Sequence, residues 1–191
     1  IPIYLVIAGF GSGLGVGASA VISRMIGADR QKDASVALVQ ALLFGAAFGL
    51  VLIPILVLTQ GGILEIIGKE NILQLTEDYM LPYSMFAVFI VFNGVVSGVL
   101  TGQGQTQYSM YMMLVQAVSN MVLDPIFIYN LNMGVAGAAI ATVLANFIGL
   151  LMYLYWSYIK NDNAIDVRSY SRNMAIYKDI ISVGVPASME Q

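Results

Sequence analysis

The 191-residue sequence contains neither cysteine nor histidine. Their absence excludes thiol catalysis, acid–base catalysis by histidine and the usual zinc sites, which use these two residues as ligands. Charged residues are also scarce, at 10% of the chain, and they form no basic patch with interleaved aromatic residues. Because a patch of that kind is the usual footprint of a nucleic-acid-binding surface, we expect no nucleic-acid partner.

Apolar residues, by contrast, make up 59% of the sequence, and the mean hydropathy is +0.82. Apolar runs of about 18 residues or more recur along the chain, and runs of this length are typical of membrane-spanning helices. The composition therefore predicts an all-α polytopic membrane protein, a helical bundle whose surroundings are the lipid bilayer.

Polar loops divide residues 1–159 into five predicted membrane spans, which are residues 1–23, 34–59, 79–100, 110–128 and 135–159. Residues 60–78 are an acidic connection with a possible short interfacial helix. Residues 129–134 form a turn so short that the last two spans are expected to be antiparallel neighbours. Residues 160–173 are predicted to be a cytoplasmic linker between two lobes, and residues 174–191 to begin another helix. Since the chain starts at Ile1 rather than at methionine, we expect an internal piece of a longer protein.

Small residues recur every four positions in the first span, in two sets: Gly9, Gly13 and Gly17, and Gly11, Gly15 and Ser19. Such stripes let a second helix approach closely, because no large side chain separates the two backbones. Gly45 and Gly49 form a similar pair in the second span, where Pro54 predicts a kink.

Lysine and arginine residues are divided unevenly between the two faces of the membrane. If successive loops alternate sides, one side receives only Lys69, and the other receives Arg24, Arg30, Lys32, Lys160, Arg168, Arg172 and Lys178. Because cytoplasmic loops carry an excess of these residues, loops 24–33, 101–109 and 160–178 are predicted to be cytoplasmic in a multi-pass protein of the inner or plasma membrane.

Asp124 is the only charged residue between Tyr79 and Ile159, and it lies within the fourth predicted span. An ionised aspartate at the bilayer centre costs about 2.5–3.5 kcal/mol on insertion scales, so such a residue normally faces a bundle interior and has partners. Asn120 lies one helical turn earlier on the same face and can supply one. The alternative is that Asp124 only caps a short broken helix at the membrane edge, directly before Pro125.

Pro125 removes a backbone donor from the helix and is predicted to kink it. The carbonyl groups freed in the preceding turn, near residue 121, would be available to a cation or a water if they line a protein cavity. We therefore favour a functional site around Asn120 and Asp124 over a simple cap.

Four stretches resemble the multidrug and toxic compound extrusion (MATE) family, and most closely its prokaryotic branch with an aspartate in the fifth helix. They are residues 17–28 (GASAVISRMIGA), 100–107 (LTGQGQTQ), 120–128 (NMVLDPIFI) and 134–142 (GVAGAAIAT). The likeness extends over nearly the whole chain. It implies that the five spans are the family's second to sixth helices, most of the N-terminal lobe, and that residues 183–191 open the C-terminal lobe.

The resemblance implies an antiporter that exports organic cations and other amphipathic drug-like compounds in exchange for H⁺ or Na⁺ by alternating access. It implies an ion site at Asn93, Asn120, Asp124 and Thr142, with Asp124 as the coupling carboxylate. Carboxylate, amide and hydroxyl oxygens suit a small hard cation, so Asp124, Asn120 and Thr142 are candidate Na⁺ ligands. A carboxylate withdrawn from water also takes up a proton more readily. No cofactor beyond the coupling ion is expected, and the family's first helix and C-terminal lobe are the expected partners within the protein.

Several methionine and aromatic side chains are candidates to contact a flat cationic substrate, through packing and cation–π attraction. They are Met110, Met112, Met113, Phe127 and Tyr129. The more common role of such residues is to face lipid or other helices.

Three other functions remain open on the sequence alone. A lipid-linked oligosaccharide flippase of the same superfamily should have a cationic cavity for phosphate groups, yet the interiors of the predicted spans contain no Lys or Arg. An intramembrane aspartyl protease needs a second catalytic aspartate, and Asp124 is the only one within these spans. A channel would differ from an exporter in its conductance.

Overall fold

The structure, a computed structural model, describes residues 2–67, 80–159 and 174–189, and all regular elements in these ranges are helices. The α-helices are α1 (Pro2–Gly27), α2 (Gln31–Ile67), α3 (Ala87–Gly102), α4 (Thr106–Pro125), α5 (Gly134–Ile159) and α6 (Met174–Met189). A π-helix, Ile126–Asn130, directly continues α4. The predicted all-α fold is confirmed. The predictions for residues 68–79 and for the 160–173 linker lie outside the described residues.

Four helical segments in the described part of the chain are long and apolar enough to cross a membrane. They are Tyr4–Gly27, Gln31–Thr59, Thr106–Asn130 and Gly134–Ser157. They correspond to the first, second, fourth and fifth predicted spans.

The third predicted span is helical but interrupted. Residues 80–85 are helical, the helix is interrupted at Phe86, and α3 follows. The break is narrow, because the Phe86 N–H still bonds to the Pro82 carbonyl at 3.1 Å and the Phe89 N–H bonds to the Phe86 carbonyl at 3.0 Å. At 1.5 Å per residue, residues 80–102 extend over about 34 Å, enough to cross the hydrocarbon core.

Two connections are shorter than the sequence predicted, and α2 is longer. The turn predicted at 101–109 is reduced to residues 103–105, where Gly104 has a φ of 76° that favours glycine. The loop predicted at 24–33 is reduced to residues 28–30, and α2 continues to Ile67 into the segment predicted as an acidic connection. The residues that extend the helices beside the first loop include the good helix formers Arg24, Gln31 and Lys32.

Helix α3 lies at the centre of the bundle, where it packs against α1, α2, α4 and α5. Its contact with α1 is backbone to backbone: a methyl group on Gly15 would overlap the Gly94 carbonyl, and one on Gly98 would overlap the Gly15 carbonyl. The predicted small-residue face of α1 is therefore confirmed. Gly45 and Gly49 of α2 likewise receive side chains of α3.

Helices α4 and α5 are antiparallel neighbours, as the short turn between them predicted. Tyr108, near the start of α4, packs against Trp156, near the end of α5, with 4.9 Å between ring centroids. At the other end, Gly137 of α5 lies against the backbone of Phe127. This pairing fixes which polar residues of the two helices face each other.

Candidate functional site

Asp124, Asn120 and Thr142 come together between α4 and α5. The Asn120 side-chain amide, Nδ2, donates to Asp124 Oδ1 at 3.3 Å and to Thr142 Oγ1 at 3.2 Å. All three side chains are half-buried. Among the described side chains, the only salt bridge is between Arg30 and Asp33, so no described cation neutralises Asp124. The described hydrogen-bond partner of the Asp124 carboxylate, the Asn120 amide, is therefore uncharged.

A second polar cluster lies beside the first and joins α3, α4 and α5. Gln116 Nε2 donates to Asn93 Oδ1 at 2.9 Å. Asn93 Nδ2 in turn donates to the Asn146 carbonyl at 2.7 Å and lies 3.3 Å from Asn146 Oδ1. Asn146 Nδ2 then donates to the Thr142 carbonyl at 2.8 Å, which connects this cluster to the Asp124 cluster.

The polar side chains of the two clusters follow a four-residue spacing on each helix. Gln116, Asn120 and Asp124 lie one turn apart on α4, and Thr142 and Asn146 lie one turn apart on α5. Positions four apart share one face of a helix, so each helix carries a polar stripe. The stripes face each other, since Asn120 of one donates to Thr142 of the other at 3.2 Å.

Pro125 marks a change of helix type directly after Asp124. The helix continues as a π-helix, in which the Leu131 N–H bonds to the Ile126 carbonyl five residues back at 3.0 Å. Proline removes the donor that would bond to the Met121 carbonyl, and π-helical segments are frequent at functional sites. Since Asp124 lies inside a helical run that extends from residue 106 to 130 and bonds to Asn120, the cap interpretation is not supported.

A cavity of about 580 Å³ opens between α1, α3, α4 and α5. Gly15, Gly94 and Gly98 form part of its wall, and Met112 and Met113 form another part. Its polar lining consists of Tyr4, Ser12, Ser19, Asn93, Ser97, Thr101, Gln116 and Asn146. Among the described residues that line it, none is charged.

The structure thus places three of the four predicted site residues together, and Asn93 in the adjoining amide cluster. Gln116 and Asn146 belong to the same polar network but were not predicted as site residues. The signal for Gln116 was its position one turn before Asn120, which repeats the spacing between Asn120 and Asp124. Asn146 stands one turn after Thr142 in the same way.

The predicted substrate-contacting side chains are divided. Met112 is buried, and both Met112 and Met113 line the cavity. Met110 and Tyr129 are exposed in this chain, and Phe127 is half-buried, with its backbone against Gly137. None of these last three lines the cavity described above.

Comparison with known proteins gives a consistent result. The family model described as MatE matches residues 1–126. The multidrug export protein MepA of Staphylococcus aureus (strain NCTC 8325 / PS 47) is 27% identical over 190 residues, covering 98% of this chain and 42% of that protein. MepA of Staphylococcus haemolyticus (strain JCSC1435) is 29% identical over 192 residues, covering 98% of this chain and 42% of that protein. The chain therefore spans about two fifths of the length of these relatives.

Solved structures agree with the sequence matches. The inward-facing conformation of a multidrug resistance MATE family transporter of the MOP superfamily has a TM-score of 0.94 and 35% identity, covering 99% of this chain and 44% of that chain. A MOP superfamily transporter from Pyrococcus furiosus Vc1 (DSM3638) also has a TM-score of 0.94 and 35% identity, covering 98% of this chain and 42% of that chain. The chain belongs to the MatE family, whose members are multi-pass transporters of the cell membrane and not enzymes.

Proposed function

We propose that the full-length protein exports organic cations and other amphipathic drug-like compounds in exchange for H⁺ or Na⁺, by alternating access. The family and the multidrug export proteins among its relatives support export. The observation that carries the coupling proposal is the Asn120 amide shared between Asp124 and Thr142, 3.3 Å and 3.2 Å away, within two apolar helices.

Asp124 is proposed as the coupling carboxylate, with Asn120 and Thr142 as the further ligands when the ion is Na⁺. The site offers a carboxylate, an amide oxygen and a hydroxyl, which are the oxygen donors that small hard cations prefer. The hydrogen bonds from Asn120 Nδ2 to Asp124 and Thr142 are both near the long limit, so the amide can give them up and turn its oxygen toward a bound ion at low cost. Asn93 is proposed to support this site from the adjoining amide cluster, to which Asn146 connects Thr142.

Ion or proton uptake at Asp124 changes the charge directly beside Pro125 and the π-helix. A change in local charge biases an equilibrium between two conformations only when the conformations differ in how they hold that charge. A helix with an interrupted hydrogen-bond ladder is a suitable place for such a difference, because it has an alternative α-helical arrangement nearby in energy. We propose that this segment transmits ion occupancy to the arrangement of the two lobes.

The cavity is proposed as part of the path for the exported compound. Its glycine, serine and methionine surfaces suit a flat organic molecule, and its amide groups offer hydrogen bonds without a fixed charge. Met112 and Met113 provide polarisable sulfur atoms for contact with aromatic rings. By contrast, the lipid-linked oligosaccharide flippase alternative calls for Lys or Arg at the phosphate groups, and the described lining has neither.

The proposed placement of the chain follows the family. The five spans correspond to the family's second to sixth helices, and α6 to the start of the C-terminal lobe. Loops 24–33, 101–109 and 160–178 are cytoplasmic under this proposal, and the family's first helix and C-terminal lobe complete the transport path.

The experiment that tests the proposal is transport of the fluorescent cation ethidium by the full-length protein in everted membrane vesicles. A proton gradient and a sodium gradient are imposed separately. We expect one of them to drive ethidium transport, and Asp124→Asn to abolish the driven transport without loss of membrane insertion. Asp29→Asn is the matched control, since Asp29 lies in the exposed 28–30 turn with a φ of 58° that asparagine tolerates.

Driven transport retained in Asp124→Asn would contradict the role of Asp124. No transport under either gradient, with the protein inserted, would contradict the export proposal and favour assays on lipid-linked substrates.

A further inference from the structure

A connected polar network leads from the cavity wall to Asp124. It begins at Gln116, which lines the cavity and donates to Asn93 Oδ1 at 2.9 Å. It continues from Asn93 Nδ2 to the Asn146 carbonyl at 2.7 Å and Asn146 Oδ1 at 3.3 Å, and from Asn146 Nδ2 to the Thr142 carbonyl at 2.8 Å. At Thr142 the network passes to the hydroxyl, which accepts from Asn120, the donor to Asp124.

The Gln116 side chain of α4 packs against Gly149 of α5. A methyl group on Gly149 would lie 2.7 Å from Gln116 Cγ and 2.8 Å from Cδ, closer than side-chain carbons normally approach. Only glycine at position 149 therefore lets the Gln116 side chain lie across α5 and reach Asn93. Packing against Gly149 thus holds the Gln116 amide in the orientation in which it donates to Asn93.

The orientation of Asn93 depends on Gln116. Asn93 Oδ1 accepts from Gln116, so its Nδ2 is directed toward Phe89 and Asn146, whose carbonyl groups it bonds at 3.0 Å and 2.7 Å. If a compound in the cavity donated to Asn93 Oδ1, or accepted from Gln116, it would compete for the bond that sets this orientation. A reversed Asn93 amide would place an oxygen against the Asn146 carbonyl, which is unfavourable for two acceptors.

We propose that Gln116 is a positioning residue that makes cation binding at Asp124 depend on whether the cavity holds a hydrogen-bonding solute. This inference rests on the proposed function, because it assigns the link between its two sites. Solute that displaces Gln116 from Asn93 loosens the contacts of Asn93 with the Asn146 carbonyl and Oδ1, which hold α5 against α3. The Thr142 hydroxyl of α5 then moves relative to Asn120 of α4. The Asp124 site then loses an ordered oxygen, and its cation is released as the solute binds.

The test measures coupling between two ligands rather than activity. The full-length protein is purified in detergent, and ethidium affinity is followed by fluorescence anisotropy in a NaCl titration at fixed pH and in a pH titration without sodium. The aromatic amines of ethidium can donate to Asn93 Oδ1. The ratio of its Kd with and without the ion is the coupling factor, and factors of about 5–150 are typical of linked sites.

Gln116→Met keeps the length of the side chain and removes its donor and acceptor. We expect the coupling factor to fall below about 2, while ethidium still binds in the absence of the ion. Because linkage is reciprocal, the effect of ethidium on ion affinity should shrink by the same factor. A residue that only supported the fold would change stability without erasing the coupling between two sites that still bind.

Gly149→Ala tests the same link without altering any polar side chain, because its methyl group overlaps Gln116 and displaces its amide from Asn93. Its matched control is Gly27→Ala, where an added methyl group meets no atom within 4 Å. We expect Gly149→Ala to reduce the coupling factor and Gly27→Ala to leave it unchanged. If Gln116→Met does not fold, as judged by circular dichroism, Gly149→Ala decides the question.

The outcomes separate the inference from the proposed function. Unchanged coupling in both variants would overturn the role of Gln116 while leaving an ion-coupled exporter intact. A loss of ethidium affinity that is equal with and without the ion would make Gln116 a simple substrate contact and would also overturn it. If the ion does not affect ethidium affinity in the unaltered protein, both the proposed ion coupling and the role of Gln116 that rests on it are contradicted.

Discussion

Asn120 on α4 and Thr142 on α5 are joined by a hydrogen bond of 3.2 Å between Nδ2 and Oγ1. The same Nδ2 lies 3.3 Å from Asp124 Oδ1, so one amide group spans the two candidate ligands. The Thr142 hydroxyl also donates to the Ala138 carbonyl at 3.0 Å, which directs its lone pairs away from its own helix. The hydroxyl is thus held as an acceptor facing Asn120, the orientation that a cation beside Asp124 requires.

Thr142→Val should weaken ion coupling, because it removes this oxygen while keeping the branched shape of the side chain. Loss of one buried polar partner costs on the order of 1–3 kcal/mol, so the half-saturating concentration of the coupling ion should rise about tenfold. The measurement is ethidium export by the full-length protein as a function of the ion concentration. Thr142→Ser keeps the hydroxyl and is expected to retain the original ion dependence. Equal behaviour of the two variants would contradict a ligand role for the hydroxyl.

Pro125→Ala should extend the α-helix into residues 126–130, which form the π-helix. Alanine restores an N–H that can bond to the Met121 carbonyl, and one added hydrogen bond contributes about 1 kcal/mol. Amide hydrogen exchange of residues 126–131 should therefore slow about fivefold, as followed by mass spectrometry of the full-length protein. Unchanged exchange would mean that the π-helix is held by its packing on Gly137 and not by the missing donor at Pro125.

The sequence was sufficient to predict the broad architecture because each span is recognisable as a local run of apolar residues. The stripe of Gly11, Gly15 and Ser19 predicted a close helix contact, and the short turn after Tyr129 predicted the α4–α5 pairing. Helix ends were less predictable: the polar residues of 101–109 look like a loop, yet all but 103–105 are helical. Hydropathy marks where a chain leaves the apolar phase, whereas a helix ends where its hydrogen bonds end.

The candidate site was partly predictable for the same reason. Asp124 stood out as a lone charge, and Asn120 followed from helical spacing. Gln116 did not stand out, because an uncharged amide in a membrane helix is commonly a simple interhelical bond. Its significance depends on Asn93 and Gly149, which are 23 and 33 positions away in the sequence, and only the tertiary structure brings these three residues together.

Gly98→Ala should destabilise the bundle more than an ordinary glycine substitution. A methyl group on Gly98 would overlap the Gly15 carbonyl of α1, and both partners are backbone, so neither can move aside without separating the helices. Overpacking of this kind typically costs about 1–3 kcal/mol. The thermal midpoint, measured by far-ultraviolet circular dichroism in detergent, should fall by several degrees. Gly27→Ala serves as the control with open space, and an equal midpoint for the two variants would contradict the close α1–α3 contact.

The orientation of the chain can be tested with single cysteines, because this sequence contains none. Ala28 and Gln107 are exposed at one end of the bundle, and Asn130 is exposed at the other end of the Thr106–Asn130 segment. In a background without other cysteines, an impermeant maleimide added to everted vesicles should label Ala28→Cys and Gln107→Cys, since the positive-inside rule places both loops in the cytoplasm. Asn130→Cys should react only after the vesicles are permeabilised. The reverse pattern would contradict this orientation, because it would place the arginine-containing 24–33 loop outside the cell. The two ends of the bundle would then face the opposite sides of the membrane.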